Sequence, residues 1–224
     1  MHHEQCVLLF VKFPEQERVK TRLSKVIGEE NARALYKCFV HDVLDTLGKG
    51  DFSITICYSP PFAGESVKEW LGKSYSYMPQ RGQDLGERMK CAFEDAFRSG
   101  VREAILIGTD IPDISAFVIR DAFSFHKHAA VIGPSRDGGY YLIGFRKDTL
   151  LPGVFEGIEW GTGAVFEKTM KVFRKHGYSV GILPHWRDTD RIEDLRDLYK
   201  RNSSGPFAGS RTMAFLQRIY HLIS

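Results

Sequence analysis

Asp110 has the setting that says most about chemistry. It follows Ile105-Leu106-Ile107, a short apolar run rich in β-branched residues, and precedes Pro112, which a central strand does not accommodate. The sequence thus places Asp110 at the C-terminal end of a buried strand, the edge where open α/β sheets bind ligands. A carboxylate there, with no basic neighbour in sequence, suits a divalent cation carrying phosphates. The plain alternative is an aspartate that only shapes a turn.

A second carboxylate source is Asp188-Thr189-Asp190, after a strand expected at 178–183. These residues can serve as an N-cap cluster for a helix from Ile192, with Glu193 and Asp194 favouring its N-terminal dipole. Mg²⁺, however, takes one or two protein carboxylates plus phosphate oxygens and water. Asp110 and Asp190, with Asp188 beside them, meet that need if their strands are neighbours.

Phosphate needs cations, and these cluster after the first expected strand. Lys12, Arg18, Lys20 and Arg22 fall within one short stretch. Arginine grips phosphate bidentately and lysine acts as a point charge. A loop after the first strand that leads into a helix is a usual phosphate site. The stretch is neither a Walker A motif nor GxGxxG, and a solvated basic loop is its bland reading.

Two glycine-bearing segments complete the set. In Arg81-Gly82-Gln83-Asp84-Leu85-Gly86-Glu87-Arg88, Asp84 can N-cap a helix. Gly86 in a first turn costs up to ~1 kcal/mol relative to Ala, which close approach of a ligand or backbone would explain. Arg88 is likewise hard to explain by helix stability. In Asp137-Gly138-Gly139-Tyr140, the paired glycines form a turn or leave room for a sugar or base, and Asp137 can accept from substrate hydroxyls. Trp160, in the glycine-rich stretch 156–163, is a stacking wall over that turn or a core aromatic.

The elements that must position these residues alternate. Strands are expected at 6–13, 53–58, 75–78, 105–110, 129–133, 140–145 and 178–183. Helices are expected at 29–47, 65–71, 84–97, 115–127, 162–175, 192–200 and 210–222. Alternation implies a mostly parallel sheet covered on both faces. Residues 133–160 break the pattern and imply a locally antiparallel insertion.

At 224 residues, 43% apolar and 26% charged, the chain fits one globular α/β domain spanning 1–224. The helix at 210–222 packs on that domain or extends from it. A net charge of +3 gives no ground for nucleic-acid binding. The four cysteines lack metal or redox spacing, and no apolar run is long enough to span a membrane or serve as a signal segment. The expected location is cytoplasmic.

The ordered motifs resemble the bacterial and archaeal DUF2064 group, glycosyltransferase-like proteins of the nucleotide-diphospho-sugar transferase (GT-A) superfamily. The stretches are Val19-Lys20-Thr21-Arg22-Leu23, Asp84-Leu85-Gly86-Glu87-Arg88-Met89, Ile107-Gly108-Thr109-Asp110-Ile111-Pro112-Asp113, Gly133-Pro134 with Asp137-Gly138-Gly139-Tyr140-Tyr141-Leu142-Ile143-Gly144, Trp160, and Asp188-Thr189-Asp190 with Glu193-Asp194-Leu195. The last also resembles the end of molybdenum-cofactor and phospholactate guanylyltransferase-like proteins. The resemblance implies a Rossmann-like α/β/α fold with a mixed, mostly parallel sheet. It also implies a nucleotide or nucleotide-sugar with an unidentified acceptor at the C-terminal strand edge, and Mg²⁺ or Mn²⁺. Two transferase chemistries follow, nucleotidyl and glycosyl transfer, with Asp110, Lys20 and Arg22 as the catalytic set. Lys20 and Arg22 tilt the balance slightly to nucleotidyl transfer, because a triphosphate needs the extra cations. One departure stands out: Gln16-Glu17 replaces the family's Pro-Gly. Glu17 is expected to put a negative charge beside the phosphates, which favours the rival reading of a non-catalytic nucleotide-sensing module.

Overall fold

In a computed structural model, residues 4–125 and 127–223 are described. The strands are β1 (Gln5–Lys12), β2 (Ser53–Ser59), β3 (Ser76–Pro79), β4 (Glu103–Ile107), β5 (Ala130–Pro134), β6 (Tyr140–Arg146) and β7 (Val180–Ile182). They form one sheet in the order β3-β2-β1-β4-β6-β5-β7. β6 runs antiparallel to β4 and β5, and the other pairs are parallel. The locally antiparallel insertion is therefore β6.

The helices are α1 (Thr21–Ile27), α2 (Glu29–Leu47), α3 (Gly64–Leu71), α4 (Leu85–Arg98), α5 (Ala116–Ser124), α6 (Val165–Lys175), α7 (Ile192–Arg201), α8 (Arg211–Arg218) and α9 (Tyr220–Ile223). Strand alternation sorts side chains to two faces. Val7, Leu9 and Val11 of β1, with Ile105 and Ile107 of β4, meet α2, α3 and α5. Cys6, Leu8, Ala104 and Leu106 meet α4 and α6 on the other face. The result is a three-layer α/β/α arrangement with a mixed, mostly parallel sheet.

Two expectations are corrected. β4 ends at Ile107, so Asp110 stands in the loop beyond the strand rather than in its last position. The chain is already helical at Thr21, in a short helix that Gly28 (φ 84) separates from α2. At the start of α5 the cap is Ser115, accepting from Val118 N, while the Asp113 carboxylate accepts from Trp186 Nε1, Arg201 Nε and Asn202 Nδ2.

The C-terminal helices pack inward. Leu216 of α8 and Ile223 of α9 share a buried cluster with Leu23 of α1, Leu35 of α2 and Leu198 of α7. Asp42 of α2, 4% exposed, accepts from Arg211 N at 3.1 Å and Thr212 N at 2.8 Å. A carboxylate borrowed from another helix thus satisfies the first amides of α8, where orphan donors otherwise remain. Among the described residues no helix is long and apolar enough to cross a membrane.

Candidate functional site

β1 sits between β2 and β4, so chain connections leave it in opposite directions and a crevice opens at the C-terminal ends. A cavity of about 760 Å³ occupies that edge. Its lining includes Lys12, Arg18, Lys20 and Arg22 from the first loop, and Asp84 and Arg88 from the start of α4. It also includes Asp110, Asp137, Gly139, Trp160, Asp188 and Asp190. Of the expected site residues, Gly138 alone is absent from the lining.

Lys20 is the centre of the charged end. It holds a left-handed backbone (φ 47, ψ 44), rare for a residue with a Cβ. That turn sends its side chain inward, over the Phe39 ring at 5.2 Å. The ammonium lies 2.5 Å from Asp110 Oδ1, 3.0 Å from Asp190 Oδ1 and 2.8 Å from Thr189 O. An ammonium has three N–H groups, and each has an acceptor within the protein. Lys20 is thus an internal counter-ion in this structure. Burial disfavours its charge, but Asp110 and Asp190 together hold its pKa above the usual lysine value.

The three aspartates line one cavity although β4 and β7 are not the neighbours expected, since β6 and β5 lie between them. Thr189 N–H donates to Asp110 O at 2.8 Å, which fixes the 188–190 segment against the loop after β4. Burial opposes ionisation of Asp190, yet Lys20 keeps its pKa below the ordinary range. For Asp188, burial and then Asp110, Asp137 and Asp190 outweigh Lys20 and push the pKa up to about 8. The hard carboxylate oxygens of the cluster suit Mg²⁺ or Mn²⁺. Among the described residues no group of three side chains forms a preformed cage.

The cations divide by exposure. The Arg22 side chain is 60% exposed, 3.8 Å from Asp190 Oδ2. Lys12 and Arg18 are exposed at the cavity wall. Arg88 Nε donates to Gly82 O at 3.2 Å. Asp84 does cap α4, accepting from Glu87 N at 2.8 Å, and Glu87 returns a bond from Gln83 N at 2.8 Å.

Ser59 Oγ donates to Glu17 Oε1 at 2.9 Å, and among the described residues the buried Glu17 Oε2 has no hydrogen-bond partner. Glu17 also lines a cavity of about 200 Å³ that shares Arg18, Val19 and Thr21 with the larger one.

The glycines explain one another. A Cβ at Gly86 would strike the Phe155 carbonyl oxygen and come within 2.8 Å of the Trp160 indole. A Cβ at Gly138 (φ 88) would strike the Gly163 carbonyl oxygen. Both positions admit the segment carrying Trp160, which is why Gly138 serves packing rather than the cavity. Asp137 closes its own turn, accepting from Gly139 N at 3.0 Å and from Ser135 Oγ. Trp160 is both wall and core: it lines the cavity, meets Tyr140 edge-on at 6.3 Å and packs on the α4–α6 side.

Sequence reasoning missed Tyr36 and Thr109. Tyr36 reads as one more apolar position of α2, yet its hydroxyl accepts from Lys12 N at 2.9 Å and Thr109 Oγ1 at 3.2 Å. Burial pushes its pKa up to about 12, so it stays a phenol at neutral pH. Thr109 adjoins Asp110, and that adjacency is the only sequence signal for either.

The fold is that of the nucleotide-diphospho-sugar transferases. A structure from Desulfovibrio desulfuricans G20, provisionally assigned as a nucleotide-diphospho-sugar transferase, is 43% identical. It matches 100% of this chain and 97% of its own, with a TM-score of 0.95. A family model for DUF2064, described as uncharacterized protein conserved in bacteria, matches residues 43–162, and the chain belongs to this family. A 2-phospho-L-lactate guanylyltransferase of Methanocaldococcus vulcanius is 27% identical over 81% of this chain and 78% of its own. Rv0371c of Mycobacterium tuberculosis H37Rv, solved with manganese, shares the fold at 14% identity and a TM-score of 0.54, over 88% of this chain and 97% of its own.

Proposed function

We propose that this chain is a metal-dependent nucleotidyltransferase. The observation that carries this reading is one cavity holding both an exposed cationic loop and a carboxylate cluster. An oxygen of the acceptor attacks the α-phosphorus of a nucleoside triphosphate. The bond from that phosphorus to the bridging oxygen breaks, and pyrophosphate leaves with the electron pair. Positioning and charge stabilisation are most of such catalysis.

Each residue has a part. Arg18, Arg22 and Lys12 grip the triphosphate. Lys20 holds Asp110 and the 188–190 segment in register. Asp110, with Asp188 or Asp190, holds Mg²⁺ or Mn²⁺, which supplies charge neutralisation on the phosphates. Arg88, Asp137, Gly139 and Trp160 form the walls for the rest of the nucleotide and the acceptor. The guanylyltransferase relatives support nucleotidyl transfer and make GTP the first nucleotide to try.

Glycosyl transfer from a nucleotide-sugar is the second reading, favoured by the assignment of the Desulfovibrio relative. Both chemistries need a metal on a diphosphate, so the carboxylates serve either. Glu17, the feature that favours a sensing module, hydrogen-bonds Ser59 through one of its oxygens. The deciding experiment pairs thermal shift with product analysis, using Mn²⁺, nucleoside triphosphates and nucleotide-sugars. Pyrophosphate release with a candidate phosphorylated acceptor supports the proposal. Release of a nucleoside diphosphate supports glycosyl transfer, and binding without turnover overturns both.

A further inference from the structure

The sheet leaves an unfinished edge at the cavity. β1 pairs with β4 only as far as Leu9↔Ile107, and β1 runs on to Lys12 beyond that last pair. Phe13 N–H turns to β2, donating to Ser59 O at 2.7 Å. Amides alternate along a strand, so Lys12 N–H points the other way. There it meets the Tyr36 hydroxyl, which Thr109 also approaches as donor. The phenol oxygen accepts twice at the crevice between β1 and β4.

A phenol carries one proton, and a buried donor needs an acceptor. Among the described residues, both bonds found for the Tyr36 hydroxyl are ones it accepts. The residue is 3% exposed and lines the cavity. Two incoming hydrogen bonds polarise the O–H and strengthen it as a donor. It lies in the electrostatic neighbourhood of Lys20 and Asp110, at the charged end.

We infer that Tyr36 is a ligand-binding residue whose phenol O–H donates to an anionic oxygen of the nucleotide's phosphate chain. The inference rests on the nucleotide reading above. It assigns to α2 a contact that the motif-bearing loops do not supply. The Lys12 amide and Thr109 then act together, because both aim the phenol.

The test is titration calorimetry with MnCl₂, using GTP and inorganic tripolyphosphate on the unmodified protein and Tyr36→Phe. Tyr36→Phe should bind both about ten-fold more weakly or worse, as loss of a hydrogen bond to a charged group implies. Equal affinity of the two proteins for tripolyphosphate overturns the inference, whatever happens with GTP, and leaves the nucleotide reading standing. Should Tyr36→Phe fail to fold, Thr109→Val, which frees the phenol to swing, should weaken tripolyphosphate binding several-fold. Thr109→Ser should retain it. An unchanged Thr109→Val overturns the inference. If the unmodified protein binds neither ligand, the nucleotide reading falls and this inference falls with it.

Discussion

Lys20 Nζ lies 2.5 Å from Asp110 Oδ1, so the carboxylate nominated for a metal already has a buried cation against it. The same ammonium reaches Asp190 and the Thr189 carbonyl, tying the first loop, the loop after β4 and the approach to α7 together. Lys20→Met should therefore lower stability by about 2–4 kcal/mol. Removing one partner of a buried pair costs more than that at full burial, and the half-exposed aspartates reduce it. Chemical denaturation checks this, and a loss below about 0.5 kcal/mol would make Lys20 a surface cation in effect.

Asp110→Asn keeps shape and removes charge. The hypothesis is that nucleotide binding without metal changes little, while the gain in affinity on adding Mn²⁺ disappears. Calorimetry with and without MnCl₂ measures that gain. An undiminished gain would place the metal elsewhere.

Arg18→Ala and Arg22→Ala should weaken GTP binding while sparing guanosine. Each lost charge-assisted bond is worth about 1.5–3 kcal/mol. Paired affinities for the two ligands decide the matter, and parallel losses would remove these residues from the phosphates.

Asp188 gives the metal-free protein a pH signature. Its folded pKa of about 8 lies above the ordinary aspartate value of 3.8, so between them the folded state holds a proton that the unfolded state has released. Stability from this group then falls as pH rises across that window. After allowance for partial exposure the effect is about 1–3 kcal/mol. Asp188→Asn should flatten the slope measured by denaturant melts at about pH 5 and about pH 8, either end of that window. A slope that survives in the variant would assign it to another group.

The two adjacent glycines should behave differently. Gly138→Ala meets both a left-handed backbone and the Gly163 carbonyl, and should cost about 2–4 kcal/mol of stability. Gly139 has an ordinary φ and lines the cavity. Gly139→Val should leave the fold intact and GTP binding unchanged while blocking the acceptor or sugar. Thermal melts of both variants, with GTP and nucleotide-sugar affinities for Gly139→Val, separate packing from occlusion. Equal destabilisation would make the whole turn structural.

Periodicity and punctuation in the sequence determined the α/β order, the antiparallel β6 and the helix over 29–47, which the structure reproduces as α2. These are local properties, since side-chain spacing follows from the geometry of each element by itself. The motifs likewise marked the stretches that line the cavity, because loops after parallel strands open on one edge. Tertiary structure alone decided what each polar group faces. Lys20 reads as free in sequence, but a left-handed turn buries it between residues 90 and 170 positions away. Glu17 reads as a charge in a solvated loop, but Ser59 of the neighbouring strand takes one of its oxygens into a half-buried hydrogen bond. Tyr36 reads as core, but β1 outruns β4 and leaves the Lys12 amide to its hydroxyl. Hydrogen-bond partners distant along the chain follow from strand register and helix docking, and neither is written in any single stretch of sequence.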